Sequence, residues 1–164
     1  MNTFYYCTPE WLKESAEIYR SNPQAGEKLK KLSGKMVYRV KADPSWGIEK
    51  DIFFCLFFEQ GKLLRLELIS EEDGKREAEF IIGATPQAWK KILRKESKFI
   101  TDFMLGKIKL EKGSKIGVLA VAPHANNVVE LLTCVQLVFP DELSIDELEQ
   151  YKANMKEFRK ELAV

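Results

Sequence analysis

Residues 80–113 read FIIGATPQAWKKILRKESKFITDFMLGKIKLEKG, and this stretch decides the fold. A short apolar strand runs into Gly83, and Thr85-Pro86 then begins a helix with a threonine N-cap and a proline in its first turn. One side of that helix is apolar at helical spacing, through Ala88, Trp89, Ile92 and Leu93. The first half of the stretch therefore predicts a strand followed by an amphipathic helix.

The second half continues with a short helix and a strand. Apolar side chains lie around most of the helix, at Phe99, Ile100, Phe103 and Met104, and Gly106 follows where a C-cap glycine belongs. Residues 107–111 alternate between charged and apolar side chains, as in a half-buried strand. Such a helix either covers the core or forms the lid of a cavity, and periodicity does not separate the two.

Three more runs before this stretch predict strands, at residues 36–42, 52–58 and 63–69, and a fourth covers 78–82. The run IFFCLFF at 52–58 has no alternation, which is typical of a central strand buried on both faces. Residues 71–74, EEDG, predict a hairpin turn. Because short turns favour antiparallel pairing, we expect an α+β fold, with a five-stranded, mainly antiparallel sheet covered by helices.

Helices are predicted before and after the strand-forming part of the sequence. They cover residues 8–19, 23–32, 114–122, 126–139 and 144–164. The last begins with a capping box, Ser144 and Glu147, and carries an apolar stripe that predicts docking as a final layer. At this length we expect one domain over residues 1–164, with 144–164 as a C-terminal docking helix.

The order of these elements resembles the sterol carrier protein type 2 family. The resemblance rests on the strand, the Thr85-Pro86 helix with Trp89, and FMLGKIKL at 103–110. Members of that family bind sterols, fatty acids and fatty acyl thioesters in an apolar tunnel. The resemblance implies the same internal cavity or tunnel here, with the short apolar helix and the C-terminal helices in its wall.

The predicted wall combines that implication with the inward faces of strands and helices. It consists of Phe54, Leu56, Phe58, Leu64, Leu66, Phe80, Ile82, Phe99, Phe103, Met104, Val128, Leu132 and Val135. Lys98 or Lys107 would meet a polar head group at the mouth. The resemblance implies a non-enzymatic protein that binds or transfers a hydrophobic ligand such as a fatty acid, a fatty acyl-CoA or a sterol-like lipid.

Catalytic chemistry has little support in the sequence. His124 is the only histidine, so no histidine pair or metal site can be built on it. The three cysteines are Cys7, Cys55 and Cys134, too few and too scattered for a zinc site. The nine glycines are spread singly and form no phosphate-binding loop. We therefore expect no enzyme activity, no cofactor and no metal.

Charge suggests a membrane surface rather than nucleic acid. The net charge is only +1, but residues 84–115 hold nine basic and three acidic side chains, which is +6. A basic rim of this kind would suit an anionic membrane or an acyl-CoA phosphate, although an ordinary charged face is the simpler interpretation. The aromatic residues lie on the opposite, inward faces, so no nucleic-acid surface is predicted.

Both chain ends and the cysteine count bear on location. The N-terminal residues 1–11 lack the pattern of a signal peptide, and no apolar run is long enough to span a membrane. The final residues, 161–164, are not a peroxisomal targeting signal of the Ser-Lys-Leu type. Unpaired cysteines are typical of a reducing compartment, and we expect a cytoplasmic protein.

The sequence leaves one alternative function open. Residues 140–164 hold seven acidic and four basic side chains, which is −3, and the last helix could pair with another chain or a second copy. In that case the protein would be a regulatory or interaction module with a closed core, and a homodimer is one form it could take.

Overall fold

A computed structural model describes residues 2–164. Its strands are β1 (Thr3–Tyr5), β2 (Gly34–Val40), β3 (Ile52–Glu59), β4 (Lys62–Ile69), β5 (Phe80–Ala84), β6 (Lys109–Lys112) and β7 (Gln136–Val138). Its helices are α1 (Pro9–Arg20), α2 (Pro23–Lys28), α3 (Glu71–Glu77), α4 (Pro86–Leu93), α5 (Phe99–Met104), α6 (Lys115–Val121), α7 (Ala125–Leu132) and α8 (Ile145–Leu162). Three short 3-10 helices lie at Pro44–Trp46, Ala122–His124 and Pro140–Glu142.

Five strands form the main sheet in the order β4-β3-β2-β5-β6. The pairs β4–β3, β3–β2 and β5–β6 are antiparallel, and β2–β5 is parallel. The predicted α+β fold with a mainly antiparallel sheet is therefore confirmed. The parallel pair exists because the chain passes through a helix between β4 and β5, and a parallel neighbour needs such a crossover.

Strand β3 is buried on both faces, as its unbroken apolar run predicts. Phe54, Leu56 and Phe58 point into the large core beneath the helices. Phe53 and Phe57 point to the other face, into a smaller cluster. The central position of the sheet belongs to β2, however, and β3 is its neighbour.

The second face of the sheet is covered by α3, which corrects the predicted hairpin turn at 71–74. The Ser70 side chain accepts a hydrogen bond from Asp73 N at 3.1 Å and caps the helix. Three acidic residues in the first turn and two basic residues in the last suit the helix dipole. Gly74 is buried against Val37 of β2.

A β-bulge corrects the predicted inward face of β4. Phe58 pairs with Leu63 and Phe57 pairs with Arg65, so Leu64 has no partner on β3. The extra residue shifts the alternation by one position. Leu63 and Leu66 are buried, whereas Leu64 is 42% exposed.

The predicted helix at 126–139 is wrong beyond Leu132. α7 ends there, and the Thr133 hydroxyl donates back to the Val129 carbonyl at 2.6 Å. The chain then extends into β7, which pairs in parallel with β1. Val135, Leu137 and Phe139 remain buried in the core from this extended segment.

The two ends of the chain pack together through α8. The capping box is present, with Glu147 N donating to Ser144 Oγ at 3.2 Å and Ser144 N donating to Glu147 Oε1 at 2.9 Å. Tyr151, Met155 and Phe158 are buried in the same core as α1.

The predicted helix at 23–32 is too long, because α2 ends at Lys28 rather than at Leu32. The division into one domain stays a prediction.

Candidate functional site

An apolar pocket with a volume of about 60 Å³ lies between the sheet and helices α4 to α7. About 10–15 Å³ accommodates one water molecule, so the free space is small. Its lining is apolar and aromatic: Tyr6, Leu32, Met36, Tyr38, Phe54, Ile82, Trp89, Ile92, Leu93, Phe99, Val121, Ala125, Val128, Val129 and Leu132.

Three adjacent strands supply the floor. Tyr38 of β2 pairs in register with Phe54 of β3 on one side and with Ile82 of β5 on the other. The Tyr38 and Phe54 rings stack with centroids 5.2 Å apart. Because all three residues are held by strand pairing, the floor is the rigid part of the pocket.

Helix α4 supplies the next wall, and its position follows from the Thr85-Pro86 start. The Thr85 hydroxyl accepts a hydrogen bond from Ala88 N at 3.1 Å. One turn on, the Trp89 ring meets Tyr38 edge-on at 5.6 Å, and its indole N–H donates to the Arg39 carbonyl at 2.9 Å. This indole is therefore fixed both by packing and by a hydrogen bond.

The remaining wall comes from α5, α6 and α7, and it is the least buried part. Phe99, Val121 and Ala125 are all half-buried, whereas on the floor Tyr38 is half-buried and Phe54 and Ile82 are buried. The pocket thus approaches the surface where these three helices lie. We call this side the mouth of the pocket.

The Tyr38 hydroxyl is a polar group held among apolar side chains. Its hydrogen-bond partner is Met36 Sδ at 3.9 Å, and a thioether sulfur is a weak acceptor. Burial raises the pKa of Tyr38 above its usual value of 10.0, so the hydroxyl stays protonated even in alkaline solution. It can therefore donate a stronger hydrogen bond to any ligand oxygen that reaches it.

The predicted wall residues fall into three groups. Those that line the pocket are Phe54, Ile82, Phe99, Val128 and Leu132. Those that pack in the surrounding core without lining it are Leu56, Phe58, Leu66, Phe80, Phe103 and Val135.

Leu64 and Met104 form the third group, because they point to solvent. They are 42% and 70% exposed, so the prediction that both face inward is wrong. The bulge in β4 turns Leu64 outward. Met104 lies on α5, whose buried side is taken by Asp102 and Phe103.

Other lining residues were absent from the predicted wall. Met36 and Tyr38 share the inward alternation of β2, and Trp89, Ile92 and Leu93 form the apolar face of α4, so periodicity could have found them. Tyr6 and Leu32 lie between regular elements and carry no periodic signal.

The structure also locates the residue types that catalysis or metal binding would require. His124 ends the 3-10 helix between α6 and α7. Burial raises the pKa of the Cys55 thiol to about 11, which suppresses the reactive thiolate. Within residues 2–164 no group of three His, Cys, Asp or Glu side chains could hold a metal ion. None of the helices in that range is long and apolar enough to cross a membrane.

Comparison with solved structures identifies the architecture. A crystal structure of sterol carrier protein 2 superposes with a TM-score of 0.63 and 22% identity, covering 80% of this chain and 97% of that chain. The chain has the sterol carrier protein 2 fold. A conserved hypothetical protein from Thermus thermophilus, suggested to be a sterol carrier protein, gives 0.63 and 22%, covering 79% and 87%.

A third structure extends the comparison to a fungal protein. Apo sterol carrier protein 2 from Yarrowia lipolytica gives a TM-score of 0.50 and 15% identity, covering 72% of this chain and 86% of that chain. No protein-family model matches the sequence, and the search of curated proteins finds no match. The predicted resemblance is thus confirmed for the sterol carrier protein 2 fold, over far more of the chain than residues 80–113.

Proposed function

We propose that this protein binds a hydrophobic ligand in the apolar pocket and transfers it without catalysing a reaction. The lining of the pocket carries the proposal, because its walls are apolar and aromatic on every contributing strand and helix. The sterol carrier protein 2 fold supports the same reading. Burial of an acyl chain or ring would contribute about 25 cal/mol per Å² of apolar surface removed from water.

The small volume means that a lipid has to widen the pocket as it enters. The floor is fixed by strand pairing, so the movable wall is the mouth. Helix α5 has only six residues, and it is held in the core through Asp102 and Phe103. Phe99 stacks on Phe103 with centroids 6.1 Å apart, and it is half-buried. Displacement of this ring pair would open a path without disturbing the sheet.

Two polar features would orient the ligand. The Tyr38 hydroxyl would donate to a carbonyl, carboxyl or hydroxyl oxygen inside the pocket. Lys98 and Lys107 are exposed on either side of α5 and would meet an anionic head group outside it. Selectivity among chain lengths should be loose, since an apolar wall discriminates a methylene by only about 1–3 kcal/mol.

The alternative, an interaction module joined through the last helix, stays a second hypothesis. Tyr151, Met155 and Phe158 of its apolar stripe are buried within this chain, which favours the carrier role over pairing through that stripe. Cytoplasmic location and a homodimer stay predictions.

Two replacements of alanine by phenylalanine test the proposal. Ala125 lines the mouth and Ala153 is exposed on α8, so Ala125→Phe should fill the pocket entrance while Ala153→Phe should not. We expect a fluorescent fatty acid to bind the wild type and Ala153→Phe equally, and Ala125→Phe at least roughly tenfold more weakly. Equal binding by both folded variants would place the ligand elsewhere.

A further inference from the structure

Basic side chains line a groove that lies apart from the apolar pocket. This groove, which we call the basic groove, has a volume of about 740 Å³ and runs between α8 and the loop that precedes β3. It shares no lining residue with the apolar pocket. Its lining holds two acidic residues and five basic ones, which is +3, against +1 for the whole chain. The basic residues are Lys50, Lys152, Lys156, Arg159 and Lys160.

Three of these lysines form a row along α8. Lys152, Lys156 and Lys160 are four residues apart, so they lie one above the other on the same side of the helix. Like charges at this spacing destabilise a helix. The helix dipole favours a cation in the last turn, where Lys160 lies, but it does not reach Lys152 or Lys156. A row that lowers the stability of its own helix is expected at a functional site.

Most of the positive charge in the basic groove is not neutralised by the protein. Among residues 2–164, an ion-pair partner is absent for three of the exposed lysines: Lys50, Lys156 and Lys160. Lys152 contacts Glu149 at 3.5 Å, one turn earlier on the same helix. The other acidic residue of the lining, Glu49, is exposed and pairs with no basic side chain in that range. Three ammonium groups are therefore available to an external anion.

Arg159 adds a charge that is partly buried. Its guanidinium donates to the carbonyls of Lys50 at 2.7 Å and of Val164 at 3.3 Å, and also to the carbonyl of Asp51. These carbonyls fix the side chain and join α8 to the loop before β3, but they carry no net charge to neutralise it. Burial lowers the pKa of Arg159, because its cation is less well solvated there than at the surface. An anion in the basic groove would stabilise that cation.

The lining of the basic groove selects the chemistry of its ligand. Several ammonium groups beside a guanidinium suit a ligand with several negative charges, and lysine binds phosphate as a point charge. The lining contains no aromatic ring on which a nucleic-acid base could stack. Its one large apolar side chain, Met155, is buried, so the groove has no apolar group to insert into a bilayer. These properties favour a small, soluble phosphate compound.

We propose that the basic groove binds a small polyanion that contains a chain of two or more phosphate groups. The phosphates would contact Lys156 and Lys160 on α8 and Lys50 on the facing loop. Lysines four residues apart are about 6 Å apart along the helix axis, so a chain of phosphates reaches more of the row than a single phosphate does. Binding requires no ligand in the apolar pocket and is independent of the proposed carrier role.

Isothermal titration calorimetry with inorganic tripolyphosphate, in magnesium-free buffer of low salt, tests the site. Wild-type protein should bind one tripolyphosphate per chain, at least roughly tenfold more tightly than inorganic phosphate, because more charge pairs form. The affinity should fall steeply when salt is raised to about 1 M. Absence of tripolyphosphate binding, or equal affinity for tripolyphosphate and phosphate, would overturn the proposal.

Matched variants locate the site. Lys156→Gln with Lys160→Gln should weaken tripolyphosphate binding roughly fivefold or more, since each exposed charge pair contributes up to about fivefold. The same variant should bind a fluorescent fatty acid as the wild type does. The control is Lys91→Gln with Lys95→Gln, which removes the same charge from two exposed lysines on and just after α4. An equal loss of tripolyphosphate binding in the control would show a response to net charge alone and would refute the site.

Two further ligands test the chemical class. ATP should bind no more tightly than tripolyphosphate, because the lining offers no aromatic partner to its adenine. A hexaglutamate peptide should bind at least roughly tenfold more weakly, because a flexible peptide loses conformational entropy on binding. If the peptide binds as tightly as tripolyphosphate and the Lys156→Gln, Lys160→Gln variant weakens both, the groove belongs to an acidic protein segment and the phosphate ligand is wrong.

Discussion

Leu131 and Leu132 are adjacent in α7, and replacing each with alanine should separate packing from ligand binding. Both side chains are 5% exposed in the same core. Leu132 lines the apolar pocket, whereas Leu131 lines a separate groove beside α1 and α2. The two substitutions therefore remove the same atoms from equally buried positions, on opposite sides of the pocket wall.

Both variants should lose similar folding stability. Three buried carbons at about 0.8 kcal/mol each give about 2.4 kcal/mol, and incomplete collapse around the missing atoms raises the loss to roughly 3–4 kcal/mol. For a chain of this length, 1 kcal/mol corresponds to about 2–4 °C in melting temperature. Each variant should then melt roughly 6–16 °C below the wild type.

Ligand affinity should differ between them. The pocket has about 60 Å³ of free space, so a ligand entering the wild type has to displace side chains. Leu132→Ala adds room at the pocket itself and should bind a fluorescent fatty acid roughly tenfold more tightly, a gain of about 1.4 kcal/mol. Leu131→Ala should bind it as the wild type does.

Urea unfolding and fluorescence titration measure the two quantities. The reasoning is refuted by either of two results. A stability loss below about 1 kcal/mol would mean that Leu132 is not packed as described. Equal ligand affinities in the two variants would mean that the pocket is not where the ligand binds.

Three further substitutions test other parts of the structure. Gly61 and Gly106 both have φ of 79°, but a Cβ on Gly61 would lie 2.8 Å from three backbone atoms, whereas one on Gly106 would meet nothing within 4 Å. In urea unfolding, Gly61→Ala should therefore lower the free energy of unfolding by more than about 3 kcal/mol, and Gly106→Ala by about 1 kcal/mol. Trp89→Phe removes the hydrogen bond of the indole N–H and should lower stability by about 1–2 kcal/mol in the same assay. Burial raises the pKa of the Cys55 thiol from 9.0 to about 11, so between these pH values the folded protein keeps a proton that the unfolded chain releases. The free energy of unfolding should therefore fall as pH rises from about 9 to about 11. Cys55→Ala should reduce this fall, measured as the urea midpoint at each pH.

Local signals made much of the architecture predictable. The Thr85-Pro86 start fixes α4 through a cap and a restricted φ, both encoded by adjacent residues. The seven apolar residues of 52–58 require burial on both faces, and α3 provides the second cover. The predicted wall residues that line the pocket all lie on elements of this kind, such as Phe54 on β3 and Leu132 on α7.

Other features depend on contacts that no local pattern contains. β1 and β7 have three residues each, and Thr3 meets Gln136 from the far end of the chain, so neither strand carries a periodic signal of its own. At Gly74 the glycine favours a turn, whereas the Ser70 cap and the charges at the two ends of the segment stabilise a helix.

The hydrophobic pattern of the sequence also could not predict which side of α5 is exposed. Apolar residues surround most of this six-residue helix, and the sequence leaves open whether it covers the core or forms the lid of a cavity. Only one side meets the core, through Asp102 and Phe103, so Ile100 and Met104 remain at the surface. Which side of an apolar helix finds a partner is decided by tertiary packing rather than by spacing.

Native mass spectrometry of the purified protein, followed by denaturing extraction and lipid mass analysis, tests the carrier role most directly. Binding in the apolar pocket predicts a co-purified acyl or isoprenoid lipid at one molecule per chain, released on denaturation and absent from Ala125→Phe. A protein that carries no lipid and also fails to bind a fluorescent fatty acid would contradict the account.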